Sequence, residues 1–497
     1  MTKVNKIKLI AIGILVFLYM SMAFCIQSKA ENEEVIVLEP GSTAKDIQAA
    51  LSRNSQNDNI HLTVKVPAGE YNLEKGLYMY SNTTLEADKD AKFYNPNKLK
   101  VMLSSYNYDY DKGRYDHIKN VVVSGGQWDA GDLRGEVIRF IHGTNITLSG
   151  ITVRNVGDKS HMLTFAGVKD GVIEGCNLSG YHGSHVKEAI HLDVVHNDDW
   201  VPGTVTYDDT ANENIIIRNN VVTDYKRAVG SHSAVKGVYH KNIVIENNTF
   251  TGTEAEAIQL YGYKDTKVLN NTIDNVGTGI RVYTKLENGK QEEPLSNAIT
   301  EEIPKSYHIE IRGNNITNAK NYGVQLIGAK DQPLCGVEVT NNICNNIGNN
   351  GIMLYLYCNN NIIKNNQIIK PNNQGIVAYI SCNANQMISN TIQQPKKMGI
   401  YIGKNSVSNV VKSNKIVKSK KHGIWIDTNS HKTKIVSNVI SNPAEMGIGM
   451  QSCNQSSIIN NKITASKKIA VYAKDCNKLT VKSNKYTKIT GKQEYIV

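Results

Sequence analysis

Paired glycine and isoleucine recur through the second half of the chain. Gly351-Ile352, Gly375-Ile376, Gly399-Ile400, Gly423-Ile424 and Gly447-Ile448 follow one another every 24 residues, and Ala470-Val471 comes 23 later. Each pair opens a short alternating segment, such as GIMLY or GIYIG, with the period of two that marks a half-buried strand. About fifteen residues further on, an asparagine stands two positions before an apolar residue: Asn366, Asn390, Asn414, Asn438, Asn461 and Asn484. Towards the N-terminus the same signature continues with irregular spacing at Asn342, Asn315, Asn271, Asn248, Asn220 and Asn177.

A repeat of this length cannot bury its apolar face alone and does so by stacking on its neighbours. Each copy supplies short strands with inward Ile, Val or Leu, and the recurring Asn suits a tight bend where it meets its copy in the next coil. The pattern predicts an all-β fold, a single-stranded right-handed parallel β-helix of roughly a dozen coils. TAKDIQAAL, residues 43–51, reads as a short amphipathic helix that begins at Thr43 and caps the open end. The organisation expected is a signal peptide over residues 1–30 and one β-helix domain over 31–497, with an N-terminal cap in 31–60. Residues 104–117, 194–213 and 285–308 break the period and are expected to be loops inserted on one face.

The signal peptide is read from Lys3, Lys6 and Lys8, the apolar run Leu9–Phe24 and the small residues Ser28 and Ala30. It implies secretion, with no membrane segment left after cleavage. The formal charge is +11, and its distribution matters more than its size. Residues 395–497 hold nineteen lysines and four acidic residues, whereas 31–394 are net acidic. A lysine-rich C-terminal end outside a cell suits an anionic wall polymer or acidic glycan. Nucleic acid is not expected, because arginines and stacking aromatics are missing among these lysines. Cys358 and Cys382, and Cys453 and Cys476, are one repeat apart and are expected as stacked free thiols. No C-x-x-C pair suggests a thiolate metal site.

Candidate chemistry concentrates in EAIHLDVVH, residues 188–196, where the alternation places His191 and Asp193 on the outer face. Stacking the strands predicts a first outward column of Leu163, His191, Gly230, Gln259, Arg281, Gln325 and Met353. The second runs Phe165, Asp193, His232, Tyr261, Tyr283 and Ile327. Asp193 is thus expected beside His232 on the floor of an open groove that runs from His161 to Tyr283. Cleaving a glycosidic bond commonly takes two carboxyl groups; Asp193 is the first, and Glu188, Asp198 or Asp199 the second. His232 and His191 are candidates for acid or base, Arg281 and Lys236 for holding a sugar carboxylate, and Trp200, Tyr261 and Tyr283 for stacking on sugar rings. No cofactor is required, although a divalent cation such as calcium is compatible; His191, His196, Asp193 and His232 are the metal-binding alternative, at a spacing that matches no zinc motif.

DIQAAL, VKVPAGEY and SNTTLEAD in the first coils resemble the start of polygalacturonase-type glycosidases in the pectin-lyase-like β-helix superfamily. VGSHS, residues 229–233, followed by HKNIVIENNTF, is similar to that family's histidine coil. The resemblance implies a role for His232, and for Asp193 as one carboxyl. The family's N-T-D, G-H-G and R-I-K motifs are not reproduced: the strand reads EAIHLD and GSHS stands for G-H-G. The leading expectation is a secreted polysaccharide hydrolase acting on an acidic or wall-associated glycan. A lyase or uronate epimerase, and a non-catalytic glycan-binding or adhesin scaffold, are the alternatives.

Overall fold

The computed structural model describes residues 32–56, 59–106, 108–285 and 291–497; the expected signal peptide lies outside them. Every pairing between successive coils is parallel, and the strands of the described residues form a 16-stranded and a 32-stranded sheet around one apolar core, with a two-stranded sheet of Leu334–Cys335 and Cys358–Asn359 beside them. Sixteen strands on one face replace the dozen coils expected, because the N-terminal copies, too irregular to read by period, stack as regularly as the others. Within a repeat, strand Ile352–Leu356 lies on the smaller sheet. Ile362–Lys364 and Gln367–Ile369 follow on the larger one.

Two features of the repeat are now physical. Ile352, Ile376, Ile400, Ile424 and Ile448 are fully buried in one stack. A Cβ on Gly351 would stand 2.4 Å from Ile368 Cγ2 and 2.8 Å from the carbonyl oxygen of Gly375, so the corner before each isoleucine has no room for a side chain. The asparagines form a buried ladder. Asn366 donates its backbone N–H (2.9 Å) and side-chain N–H (3.0 Å) to Asn390 Oδ1, and its side chain also donates to the Val339 carbonyl at 2.8 Å. The left-handed residue at the bend is the one before the ladder Asn, Asn365 (φ 57°) or Ser389 (φ 55°), not the ladder Asn itself. Asn314, rather than Asn315, occupies the rung between Asn271 and Asn342. Cys176, rather than Asn177, precedes Asn220. A second ladder, Asn361 to Asn385 to Asn409, escaped the sequence reading.

Strand Asn32–Val37 pairs with Ile60–Val66 as the first rung, and helix Ala44–Leu51 lies between them in the chain. Thr43 and Asp46 cap it reciprocally, and Ile47, Ala50 and Leu51 are buried against the first strands. The seven cysteines among the described residues are free thiols. No described helix is long and apolar enough to cross a membrane.

The breaks in the period converge. His142 is fully buried between Asp111 (Nδ1 to Oδ2, 2.7 Å) and Asp208 (Nε2 to Oδ1, 3.1 Å), which joins the first two segments. Leu295 N donates to Asp209 Oδ2 at 2.7 Å, and Asn297 donates to the Tyr207 carbonyl at 3.0 Å, which adds the third. Burial pushes the His142 pKa down, but the hydrogen bonds and charges of Asp111 and Asp208 outweigh it and raise it. Both carboxyls are lowered, their burial being overcome by the bonds from His142.

Removing one rung should be costly because its partners are buried: Asn414→Ala is expected to lose about 1–3 kcal/mol for each unsatisfied group, read from urea unfolding. The His142 network predicts a pH window. The two lowered carboxyls stabilise the fold above their ordinary range and lose that contribution as pH falls through it; the raised His142 stabilises below about 6.5 and loses its contribution as pH rises through its folded pKa. Arg114 and His117, which also face these carboxyls, stay in place. His142→Gln should therefore cost about 3–5 kcal/mol near pH 6 and flatten the alkaline fall in thermal midpoint.

Candidate functional site

Strand Glu188–Asp193 lies between Leu163–Ala166 and Arg227–Gly230 in the smaller sheet. Ile190 and Leu192 point into the core as expected, and His191 pairs with Gly230. Leu163 and Phe165 pair with Ile190 and Leu192, however, so they belong to the core, and Thr164 and Ala166 are the outward neighbours of His191 and Asp193. The expected columns slip by one residue at this coil.

The second departure is at Gly230. A Cβ there would stand 2.2 Å from the Gln259 carbonyl oxygen, and beyond it the chain leaves the strand. Ser231 Oγ donates to the Leu192 carbonyl at 2.6 Å. His232 consequently does not stack on Asp193. Its Nδ1 bonds Glu188 Oε2 at 3.0 Å, and its ring lies 4.9 Å from the His191 ring, centre to centre. The neighbour of Asp193 is Ser233, whose hydroxyl donates to Oδ1 at 2.8 Å alongside the Val194 N–H at 2.9 Å.

His161 completes the group. Its ring stacks 4.0 Å from His191, and its Nδ1 lies 2.9 Å from the Glu188 carbonyl oxygen. A carbonyl only accepts, so Nδ1 carries the proton and Nε2 keeps its lone pair. The open floor expected from the sequence is covered: His161, Glu188, His191 and Asp193 are at most 4% exposed. The His232 side chain is 35% exposed, and Lys187 Nζ stands 3.2 Å from its Nε2. Neither nitrogen of His191 has a hydrogen-bond partner, and Asp193 Oδ2 is 3.7 Å from Nε2.

Electrostatics follow from that packing. Glu188 is held well below the usual carboxylate range, its burial overcome by the charges of His232 and then Arg227. His161 is pushed down to about 3 and His191 well below its ordinary value, both by burial first. His232 is raised, since Glu188 outweighs its desolvation. Burial pushes Asp193 up to about 6.

Arg227 and Glu256 were missed from sequence. Arg227 is buried between Glu188 and Glu256, bonding both, and Glu256 in turn pairs with Arg281. Glu188, Arg227 and Glu256 are the first residues of their strands, each one position before an alanine, Ala189, Ala228 and Ala257. Reading that upstream column would have exposed the alternating charges.

The remaining candidates lie apart. Arg281 is engaged by Glu256 and by Gln325 at 2.8 Å. Tyr261 and Tyr283 stack at 4.2 Å but are buried with Ala234 and Ile327, which leaves no face for a sugar. Trp200 packs the inserted loop against Ile141, Val195 and Val201. Asp199 is exposed in that loop, and Lys236 pairs with Glu293 at 3.5 Å. His196 bonds Asp209 at 2.6 Å and stays outside the cluster, so the metal-binding group expected from sequence is not the one assembled. A surface depression lined by Lys92, Gln127, Trp128 and Arg154 shares no residue with the cluster.

Two family models match the chain. "Right handed beta helix region" covers residues 296–440 and 404–493, and "Periplasmic copper-binding protein (NosD)" covers 118–302, which includes the cluster. No curated protein matches. Among solved structures, the tailspike of E. coli bacteriophage HK620 in complex with a hexasaccharide is 14% identical, with 90% of this chain and 77% of that one covered at a TM-score of 0.51. A family 28 exopolygalacturonase of Yersinia enterocolitica is 11% identical over 92% and 78% of the two chains, TM-score 0.45. PfbA, a surface adhesin of Streptococcus pneumoniae, is 16% identical over 90% and 88%, TM-score 0.42. At these identities the likeness is one of fold.

The buried charge ladder makes its own prediction. Arg227→Leu leaves Glu188 and Glu256 without their shared cation and should cost about 3–5 kcal/mol in urea unfolding. Arg281→Leu, at the partly exposed end, should cost clearly less.

Proposed function

Because the chain is a right-handed parallel β-helix of the pectin-lyase-like fold, we propose that it is a secreted carbohydrate-active enzyme, a polysaccharide hydrolase with its reacting centre in coils 161–232. The observation that carries this reading is concentration. Three imidazoles and two carboxyls from neighbouring coils meet in one place, while later coils of the same sheet present Met353, Val377, Tyr401 and Trp425 at the equivalent outward position. A scaffold that only binds a polymer would repeat its contacts along the solenoid; chemistry needs them together.

Hydrolysis takes a water made nucleophilic and a proton for the leaving oxygen. The covered cluster is where water is activated, and Asp193, anchored by Ser233 beside His191, is the carboxyl that exchanges the proton. A glycan reaches the centre at its exposed edge, His232. Lys187 beside that histidine takes over from Arg281 and Lys236 as the cation that meets a sugar carboxylate, which favours an acidic glycan. The lysine-rich coils give a second, electrostatic contact with such a polymer: Lys415, Lys462 and Lys485 fall in one register row, and Lys468 with Glu445 is one of few ion pairs there.

Incubation of the mature protein with acidic and neutral polysaccharides tests the reading. New reducing ends without ultraviolet absorbance from unsaturated sugar are expected, and Asp193→Asn should lower the rate by about 100-fold or more with little change in thermal midpoint. Absorbance would make it a lyase. Retention on a polymer without products would make it a binding protein.

A further inference from the structure

We propose that His161, Glu188, His191 and His232 bind a divalent transition-metal ion of the zinc class. The four side chains come from three successive coils, and one donor atom from each lies within 4.8 Å of all the others. Donors around a four-coordinate ion with bonds of about 2.0–2.2 Å stand roughly 3.4 Å apart, so the site closes by a shift on the order of an ångström. His232, the exposed member, can supply most of it.

The independent sign is His191. A buried imidazole ordinarily satisfies both nitrogens, yet this one is 2% exposed and neither nitrogen has a hydrogen-bond partner. A metal bond supplies what the protein does not. The surroundings are those of a ligand set: His161 gives its Nδ1 proton to the Glu188 carbonyl, the arrangement that fixes the tautomer of a metal-bound histidine and leaves the other nitrogen to coordinate. Arg227 grips Glu188 from the opposite side and orients its carboxylate. Three imidazoles and one carboxylate suit zinc, copper, nickel or cobalt; calcium and magnesium take oxygen donors. Ser231 and Ser233 fix the turn that carries His232, the exposed member, to the site.

Four protein donors fill a four-coordinate ion, so it would activate a water for hydrolysis only by taking a fifth ligand or by releasing His232, the exposed donor, to open a position. That use rests on the hydrolase reading; the binding itself does not.

The test uses the mature protein, stripped with a chelator and titrated with Co²⁺ alone, then with Zn²⁺. Uptake of one equivalent of Co²⁺ with the visible bands of a four-coordinate centre is expected, with the bands lost on adding Zn²⁺ and unaffected by Ca²⁺. His191→Gln and His232→Gln should each abolish the bands, and His308→Gln, in an exposed pair with Asp265, should keep them. If burial makes His191→Gln fail to fold by circular dichroism, His232→Gln decides the matter from the surface. No stoichiometric uptake by the unaltered protein, or the same bands in His232→Gln, overturns the proposal. Metal binding without turnover of any glycan removes the hydrolase reading and leaves the site standing. Turnover by the stripped protein removes the ion from the mechanism.

Discussion

Everything in this molecule depends on the hydrogen bonding of one coil to the next. A parallel ladder fixes the spacing of successive rungs at about 4.8 Å and sets which side chain stands over which. The buried asparagines reinforce it where the backbone bends, since each fills the donors of its neighbour and lends its own to a carbonyl of the preceding coil. A bend inside a solenoid would otherwise leave buried backbone groups unpaired. The ladder permits a sharp corner without that loss.

Fixed spacing also turns a column of charges into an electrostatic device. Glu188, Arg227 and Glu256 stand on consecutive rungs with alternating sign and little contact with water. Each neutralises the next, which is the condition for burying charge at all. The consequence reaches the cluster, because Arg227 keeps Glu188 ionised and in place, and Glu188 in turn holds His232 by its ring nitrogen. Structural pairing and candidate chemistry share the same carboxylate.

The departures from the repeat are concentrated where the ladder alone cannot build a site. The segments that interrupt the period are tied to one another through His142, Asp111, Asp208 and Asp209. Trp200 fastens the middle one to the sheet. Separately, the turn after Gly230 carries His232 to Glu188 and His191, which are buried. The later coils lack insertions of this size and keep an ordinary outer surface of tyrosine, valine and tryptophan.

The sequence by itself determined the architecture, because a 24-residue period with Gly-Ile and Asn at fixed places leaves few ways to bury apolar residues. It also singled out residues that the fold gathers: His191, Asp193, Glu188, His161 and His232 were all legible as candidates, since polar and charged residues stand out in a column of apolar ones. Tertiary structure decided how they meet. Periodic stacking extrapolates only while the chain stays in the strand, and at Gly230 it does not, so His232 turned to Glu188 and Ser233 took the place beside Asp193. Burial was equally invisible, because the period does not foretell the turn that brings His232 and Ser233 over to this strand. The pairing of Arg227 with two carboxylates became evident only when the rungs were in register, for a charge in a sequence has no partner until the fold places one 4.8 Å away.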